Sequence, residues 1–216
     1  MRPRAPWRWS GDRALLREIR GDDLGARNAQ ARSLYQRLRD RRFGEVEDVV
    51  PGAASVLVLL RPGLEPPAAL LEALEEDLDD VEAARTAPHR HEIEVRYGGS
   101  AGPDLAELAR LRGMSEREVV ALHCSPVYTV GFLGFMPGFA YLIGLPPALS
   151  TPRLATPRTR VAAGSVAIGG SFTGVYPRST PGGWRILGST DFALFDVSAA
   201  SPARLAPGDE VRFVPR

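Results

Sequence analysis

The 216-residue chain contains no lysine; all 27 of its basic residues are arginine, set against 26 aspartates and glutamates. The exclusive use of arginine reads as a compositional bias of the source genome. The near balance of charge argues against nucleic acid as the principal partner, because such proteins carry a clear basic excess. One cysteine, Cys124, rules out an intrachain disulfide framework and a cysteine-based zinc cluster. No run approaches the roughly 20 apolar residues of a membrane span, and the N-terminal MRPRAPWRWS has charge but no apolar core of signal-peptide length. A cytoplasmic location is the expectation. No GxxxxGK[ST] motif occurs, so a P-loop nucleotide site is excluded. What remains is ordinary for a globular protein: 44% hydrophobic and 25% charged residues, in a chain long enough for one or two domains.

The first 88 residues read as alternating strands and helices. Residues 12–19 (DRALLREI) form a short strand, and residues 24–39 place Leu24, Ala31, Leu34, Tyr35 and Leu38 at helical spacing. Two aliphatic runs, 46–50 and 55–60, flank Pro51-Gly52 and predict a hairpin. A second helix runs from Pro66 to Asp80, with Leu70, Leu71, Leu74 and Leu78 on one face and a solvated acidic face opposite. The order β-α-β-β-α predicts a small two-layer, ferredoxin-like α+β domain over residues 1–88.

Residues 89–216 read differently. HEIEVRY (91–97) alternates as a half-buried strand, Asp104 precedes a helix to Arg112, and Ser115 with Glu118 makes a capping box for a helix over 116–123. Short strands follow at 128–132, 161–168, 173–176, 184–187, 193–197 and 210–214. Their Gly/Pro separators favour a β-barrel or sandwich with a helical insertion after its first strand. The richest stretch is 131–187, where Gly and Pro are interleaved with Phe, Tyr and Trp. That composition suits neither a linker nor a helix. It predicts a rigid, loop-rich surface, used as a small-ligand cleft or a protein interface.

YGGSAGPDL (97–105), His123 with SPVYTV behind it, GFMPGFAYL (134–142), TPRTRVAAGSVAIGG (156–170), TGVYP (173–177) and TPGGWRILGST (180–190) together resemble the KipI family. That family is also called allophanate hydrolase subunit 1 and includes the B component of bacterial 5-oxoprolinase. The similarity covers about residues 97–215, and the N-terminal part shares only a strand-helix pattern and the GDRALL opening. It implies a cyclophilin-like β-barrel behind the α+β domain. It also implies two partners, a KipA-type C component and a LamB/YcsF-type A component, which together open 5-oxoproline to glutamate using ATP with Mg2+. Two other roles occur among similar proteins: inhibition of a sensor histidine kinase, and a carboxyltransferase-like part in urea or allophanate metabolism.

The resemblance also frames the candidate site residues. Arg153 and Arg158, the nearby Arg160, and backbone amides around Gly164 and Ser165 are expected to cradle a carboxylate or phosphoryl oxygen. His123 is either a general acid-base group or an imidazolium complementing a helix C-terminus. Asp104 is either a helix cap or a substrate or partner contact. His89 and His91 are expected to face solvent, and Cys124 to be inert. Phe135, Pro137, Phe139 and Tyr141 form either a barrel plug or a cleft wall. Thr173, Tyr176, Gly182, Gly183 and Trp184 complete the expected ligand or interface surface. Many family members carry Gln before the Thr of TGVYP; here Phe172 stands there, and an amide able to bond a polar substrate is absent.

Overall fold

In SVLVLL, every second residue is apolar and fully buried, and that strand organises the N-terminal unit. A computed structural model describes residues 7–76, 78 and 88–216. Strand β4 (Ser55–Leu60) turns Val56, Val58 and Leu60 into the core, as the two-residue period of a strand requires. It pairs antiparallel with β2 (Ala14–Glu18) on one side and β3 (Val46–Pro51) on the other. The order β1-β2-β4-β3 is completed by β1 (Trp7–Trp9), an edge strand that the sequence pattern does not disclose. Pro51 is tolerated because β3 is the opposite edge, where a missing N–H costs no ladder bond. Helix α1 (Leu24–Arg41) covers the sheet with Ala31, Leu34 and Leu38, and its first turn is capped by Asp23. Helix α2 (Ala68–Glu75) adds Leu70, Ala73 and Leu74. It starts two residues later than expected, and its expected end at Asp80 lies outside the described residues. Glu76 is not a bystander on a wet face: its carboxylate pairs with Arg37 and Arg41 of α1. This is the expected two-layer α+β arrangement.

The chain divides into two compact units, Met1–Ala87 and Pro88–Arg216. The second is built on a closed barrel. It begins with β5 (Arg90–Tyr97), then inserts α3 (Leu105–Arg112) and α4 (Glu116–Cys124), the latter started by the expected Ser115/Glu118 capping box. Next come β6 (Tyr128–Leu133), β7 (Ala140–Ile143), β8 (Arg158–Val161), β9 (Ser165–Gly169), β10 (Phe172–Val175), β11 (Thr180–Gly182), β12 (Arg185–Ser189) and β13 (Glu210–Pro215). Seven of these close in the order β10-β7-β6-β13-β5-β12-β9, while β8 and β11 form a separate two-stranded sheet.

Three strand expectations need correction. The single strand expected over 161–168 is broken at Gly164, whose φ of +78 only glycine adopts freely, and its halves join different sheets. The strand expected over 193–197 is reduced to one bridge, Phe195 to Ala203. Conversely β7, inside the aromatic GFMPGFAYL, is a full barrel strand that Gly and Pro conceal.

The segment before α3 packs backbone to backbone against β12. Gly98 N–H donates to Leu187 O and Asp104 N–H to Ile186 O. Between them, a Cβ on Gly102 would collide with the Leu187 carbonyl. Gly102→Ala is therefore expected to cost about 3 kcal/mol in urea unfolding. Gly44→Ala, where nothing lies within 4 Å, should change stability by less than about 0.5 kcal/mol.

Candidate active cleft on the outer barrel wall

Alternation along the barrel strands gives the wall two faces of different chemistry. Val166 and Ile168 of β9, Ala140 and Leu142 of β7 and Leu187 of β12 point into the barrel core. Their neighbours Ala167 and Ile186 point outward and join Phe139, Val161, Tyr176 and Trp184 in a separate apolar cluster, with Tyr141, Met136 and Phe172 packed against it. Glycines make room for these rings. A Cβ on Gly169 would stand 2.6 Å from the Trp184 indole, and one on Gly182 2.5 Å from the Tyr176 hydroxyl. The rings meet edge to face, Phe139 to Trp184 at 5.4 Å and Tyr141 to Trp184 at 5.5 Å, the arrangement that aromatic quadrupoles favour. Phe172 extends the same face, edge-on to Tyr141.

This shelf floors a cleft of about 210 Å³. Phe135, Phe139, Tyr141 and Trp184 supply its aromatic walls, Pro157, Pro181, Gly182 and Gly183 its rigid rim, and Arg153 with the Tyr176 and Tyr141 hydroxyls its polar groups. Phe135 is the exposed member, 60% accessible, at the centre of a γ-turn closed by Met136 N–H to Gly134 O. Its φ of +66 is unusual for a bulky residue and costs on the order of 1–3 kcal/mol, the kind of strain that clusters at ligand sites. Pro137 lies at the exposed tip of the same loop and does not line the cleft. Phe139 and Trp184 are both wall and core, being almost fully buried.

The two arginines of PRLATPR are used differently. Arg158 is held at one nitrogen: its Nη2 donates to Asp104 Oδ1 at 2.6 Å, while Asp104 Oδ2 accepts the Ile186 amide at 2.6 Å and the buried Arg158 Nη1 has no hydrogen-bond partner among the described residues. Asp104 is thus buried and occupies the N-cap position without capping α3. The cap expectation is corrected, because its oxygens are drawn to a guanidinium and an amide across the fold instead. Arg153 is exposed at the rim and no described carboxylate pairs with it. Arg160 lies outside the cleft and donates to Ser179 Oγ. The expected amide cradle at Gly164 and Ser165 does not form: Gly164 N–H donates to Tyr176 O, Ser165 N–H to Ala162 O, and β9 is paired on both sides.

His123 stands on the other side of the wall. Its ring is fully buried, stacks on Phe213 at 4.7 Å, and is held at both nitrogens. Thr173 Oγ1 donates to the Ala167 carbonyl, so it must accept from His123 Nε2–H at 2.8 Å. Nδ1 is then the acceptor, taking the Tyr97 hydroxyl proton at 2.7 Å, and Tyr97 Oη in turn accepts the Cys124 thiol at 3.4 Å. One tautomer satisfies every member of this relay. Burial lowers the His123 pKa to about 3 and, with the Cys124 bond, raises that of Tyr97. The expected imidazolium at a helix end is therefore a neutral interior imidazole, and Thr173 is its partner rather than a cleft residue. His89 is exposed as expected, but His91 is largely covered, with Nε2 at 3.3 Å from Asp209. Among the described residues no group of His, Cys, Asp and Glu is arranged to hold a metal. Pro157 and Pro181 are additions to the expected set; both directly flank motif residues within it, Arg158 and Gly182.

Fold and site together define a class of protein in which a small α+β unit is followed in the chain by a closed barrel with an aromatic cleft on its outer wall. The chain belongs to the family described as carboxyltransferase domain, subdomain C and D, with a match over residues 5–205. It is 45% identical to the B component of the 5-oxoprolinase of Escherichia coli O157:H7 over 206 residues, 95% of this chain and 94% of that one. The crystal structure of TTHA0988 superposes with a TM-score of 0.80 at 36% identity over 94% of this chain, which spans only 40% of the TTHA0988 polypeptide. The Kluyveromyces lactis urea amidolyase shares the fold at 20% identity and a TM-score of 0.78, covering 100% of this chain and 15% of that one. No helix among the described residues is long and apolar enough to cross a membrane.

The buried imidazole makes stability depend on pH in a defined direction. Between about 3 and the ordinary value of 6.5, the unfolded chain binds a proton that the folded chain refuses. The His123 contribution is fully present above pH 6.5 and is lost as pH falls toward 3, by about 5 kcal/mol in total. Lowering the pH from 7 to 4 should therefore reduce the stability measured by urea unfolding more steeply in the native protein than in His123→Gln, even though the variant starts less stable. Equal slopes would contradict the buried neutral assignment.

Proposed function

We propose that this chain is the B component of an ATP-dependent 5-oxoprolinase, a cytoplasmic assembly that opens 5-oxoproline to glutamate. The observation that carries the reading is the full-length similarity to the E. coli B component, joined to a cleft whose size and chemistry suit a small ring. In the overall reaction ATP and water are consumed, the lactam C–N bond breaks, and glutamate, ADP and phosphate leave. At about 210 Å³ the cleft is smaller than the roughly 300–1,000 Å³ pockets that hold larger ligands. A whole nucleotide does not fit it, and the strand amides that would have cradled phosphates are engaged. In this reading ATP and Mg2+ are held by the partners, one KipA-type and one LamB/YcsF-type, and this chain's cleft binds and orients the ring. A carboxyltransferase-like role is the second reading, favoured by the family description itself.

Purified alone, the chain is expected neither to hydrolyse ATP nor to open 5-oxoproline. Co-expressed with its two partners, it should release glutamate only when ATP is present. Turnover by the isolated chain would overturn the multicomponent reading, and transfer of carboxyl groups without lactam opening would favour the second one.

The exposed Phe135 at the cleft rim serves as the anchor for a partner in this reading. Phe135→Asp should lower co-purification of the partners at least tenfold while leaving the melting temperature within a few degrees. Phe139→Asp, by contrast, puts an unpaired charge into the aromatic cluster and should unfold the barrel.

A further inference from the structure

The polar groups of the cleft are few, and only one of its lining residues carries a charge. Arg153 sits on the PRLATPR strap, which is tied down where Leu154 N–H donates to Gly183 O at 2.7 Å. That bond sets the arginine beside Trp184, at the rim, with no described carboxylate paired to it. Two hydroxyls, those of Tyr141 and Tyr176, are the other polar groups, and the one at Tyr176 lies beside the glycine rim. The Tyr176 hydroxyl borders the cleft and no described residue accepts the hydroxyl proton, so that proton is free to be given to a ligand. Gly182 directly above must lack a side chain, since a Cβ there would occupy the space at the hydroxyl. Arg158 adds positive potential at Tyr176 while its own Nη2 is held by Asp104. A cation, an unclaimed O–H and flat aromatic walls converge on one small cavity.

We propose that this cavity is a subsite selecting the carboxylate of a small, flat cyclic acid, with Arg153 and the Tyr176 hydroxyl as its specificity-determining groups and Trp184 beneath the ring. Charge-assisted bonds to a carboxylate are the strong polar contacts available to such a site, and an uncharged carboxamide is disfavoured because it offers one neutral carbonyl oxygen in place of two anionic ones and sets an NH2 donor against the arginine. The inference rests on the 5-oxoprolinase reading for the identity of the acid, 5-oxoproline. It goes beyond it in assigning the carboxylate subsite to this chain and to these two side chains.

The test uses the full chain, alone and in the complex co-purified with its partners, and measures binding of 5-oxoproline and of its carboxamide by calorimetry. The native protein, in at least one of the two forms, should prefer the acid by tenfold or more. Tyr176→Phe should weaken the acid about 5- to 20-fold and the carboxamide by less, since the bond it removes is charge-assisted only with the acid. Arg153→Gln, an exposed substitution, should abolish the preference with an unaltered melting temperature. Absence of binding in both forms, equal affinity for acid and carboxamide, or indifference to both substitutions would each overturn the proposal. The two claims fail separately. A complex that selects the acid through Arg153 but releases no glutamate with ATP would sink the oxoprolinase reading and leave the subsite standing. Normal turnover in both variants would do the reverse.

Discussion

A closed β-wall has two faces, and the side chains of each strand must alternate between them. That alternation is the constraint on which the rest of the C-terminal unit depends. In β9 it sends Val166 and Ile168 inward and Ala167 outward; in β7 it sends Leu142 inward and Tyr141 outward. The inner face is filled by aliphatic residues and one polar relay. The outer face would be bare aliphatic surface were it not for the aromatic shelf of Phe139, Tyr176 and Trp184. Glycine at 169, 174 and 182 lets those rings lie close to the backbone. The glycines thus have a packing reason that is independent of turns.

The same wall separates two chemistries that lie close together in sequence. Thr173 turns inward to His123, while Phe172 before it turns outward to the aromatic face. The interior relay from Cys124 through Tyr97 and His123 to Thr173 is fully satisfied, and a buried polar network with every member paired is a device for fixing one arrangement of the core. It ties α4 to β5 and β10. Asp104 plays the corresponding part outside the barrel, joining the start of α3, the amide of Ile186 on β12 and Arg158 on β8. Function is thereby left to groups that these ties do not consume.

Much of the architecture is legible in the sequence because its signals are local. The capping box at Ser115 and Glu118, the period-2 burial of SVLVLL and the helical spacing of Leu34 and Leu38 depend on residues a turn or a strand apart. What stays hidden depends on partners distant in the chain. Strand β1 exists because Leu15 to Arg17 offer it an edge, and β7 because β6 and β10 flank it; neither carries a clean pattern of its own. The aromatic cleft is foreshadowed by composition, and Phe139, Tyr141, Tyr176 and Trp184 do converge. For His123 and Asp104, helix-end logic weighs only the backbone dipole. Tertiary burial wins in both cases, since the desolvation of a ring sealed in a core, or a guanidinium 54 residues away in sequence, outweighs an exposed helix terminus.

In the proposed account, ligand recognition falls to the outer wall and structural order to the inner one. The most direct measurement is a crystal structure of the assembled complex soaked with 5-oxoproline in the absence of ATP. The ring is predicted to lie over Trp184 near Phe135, its carboxylate within hydrogen-bond distance of Arg153 and the Tyr176 hydroxyl, with the His123 ring still bonded to Tyr97 and Thr173. A lactam found inside the barrel against His123, or bound wholly on a partner with this cleft unoccupied, would contradict that division of labour.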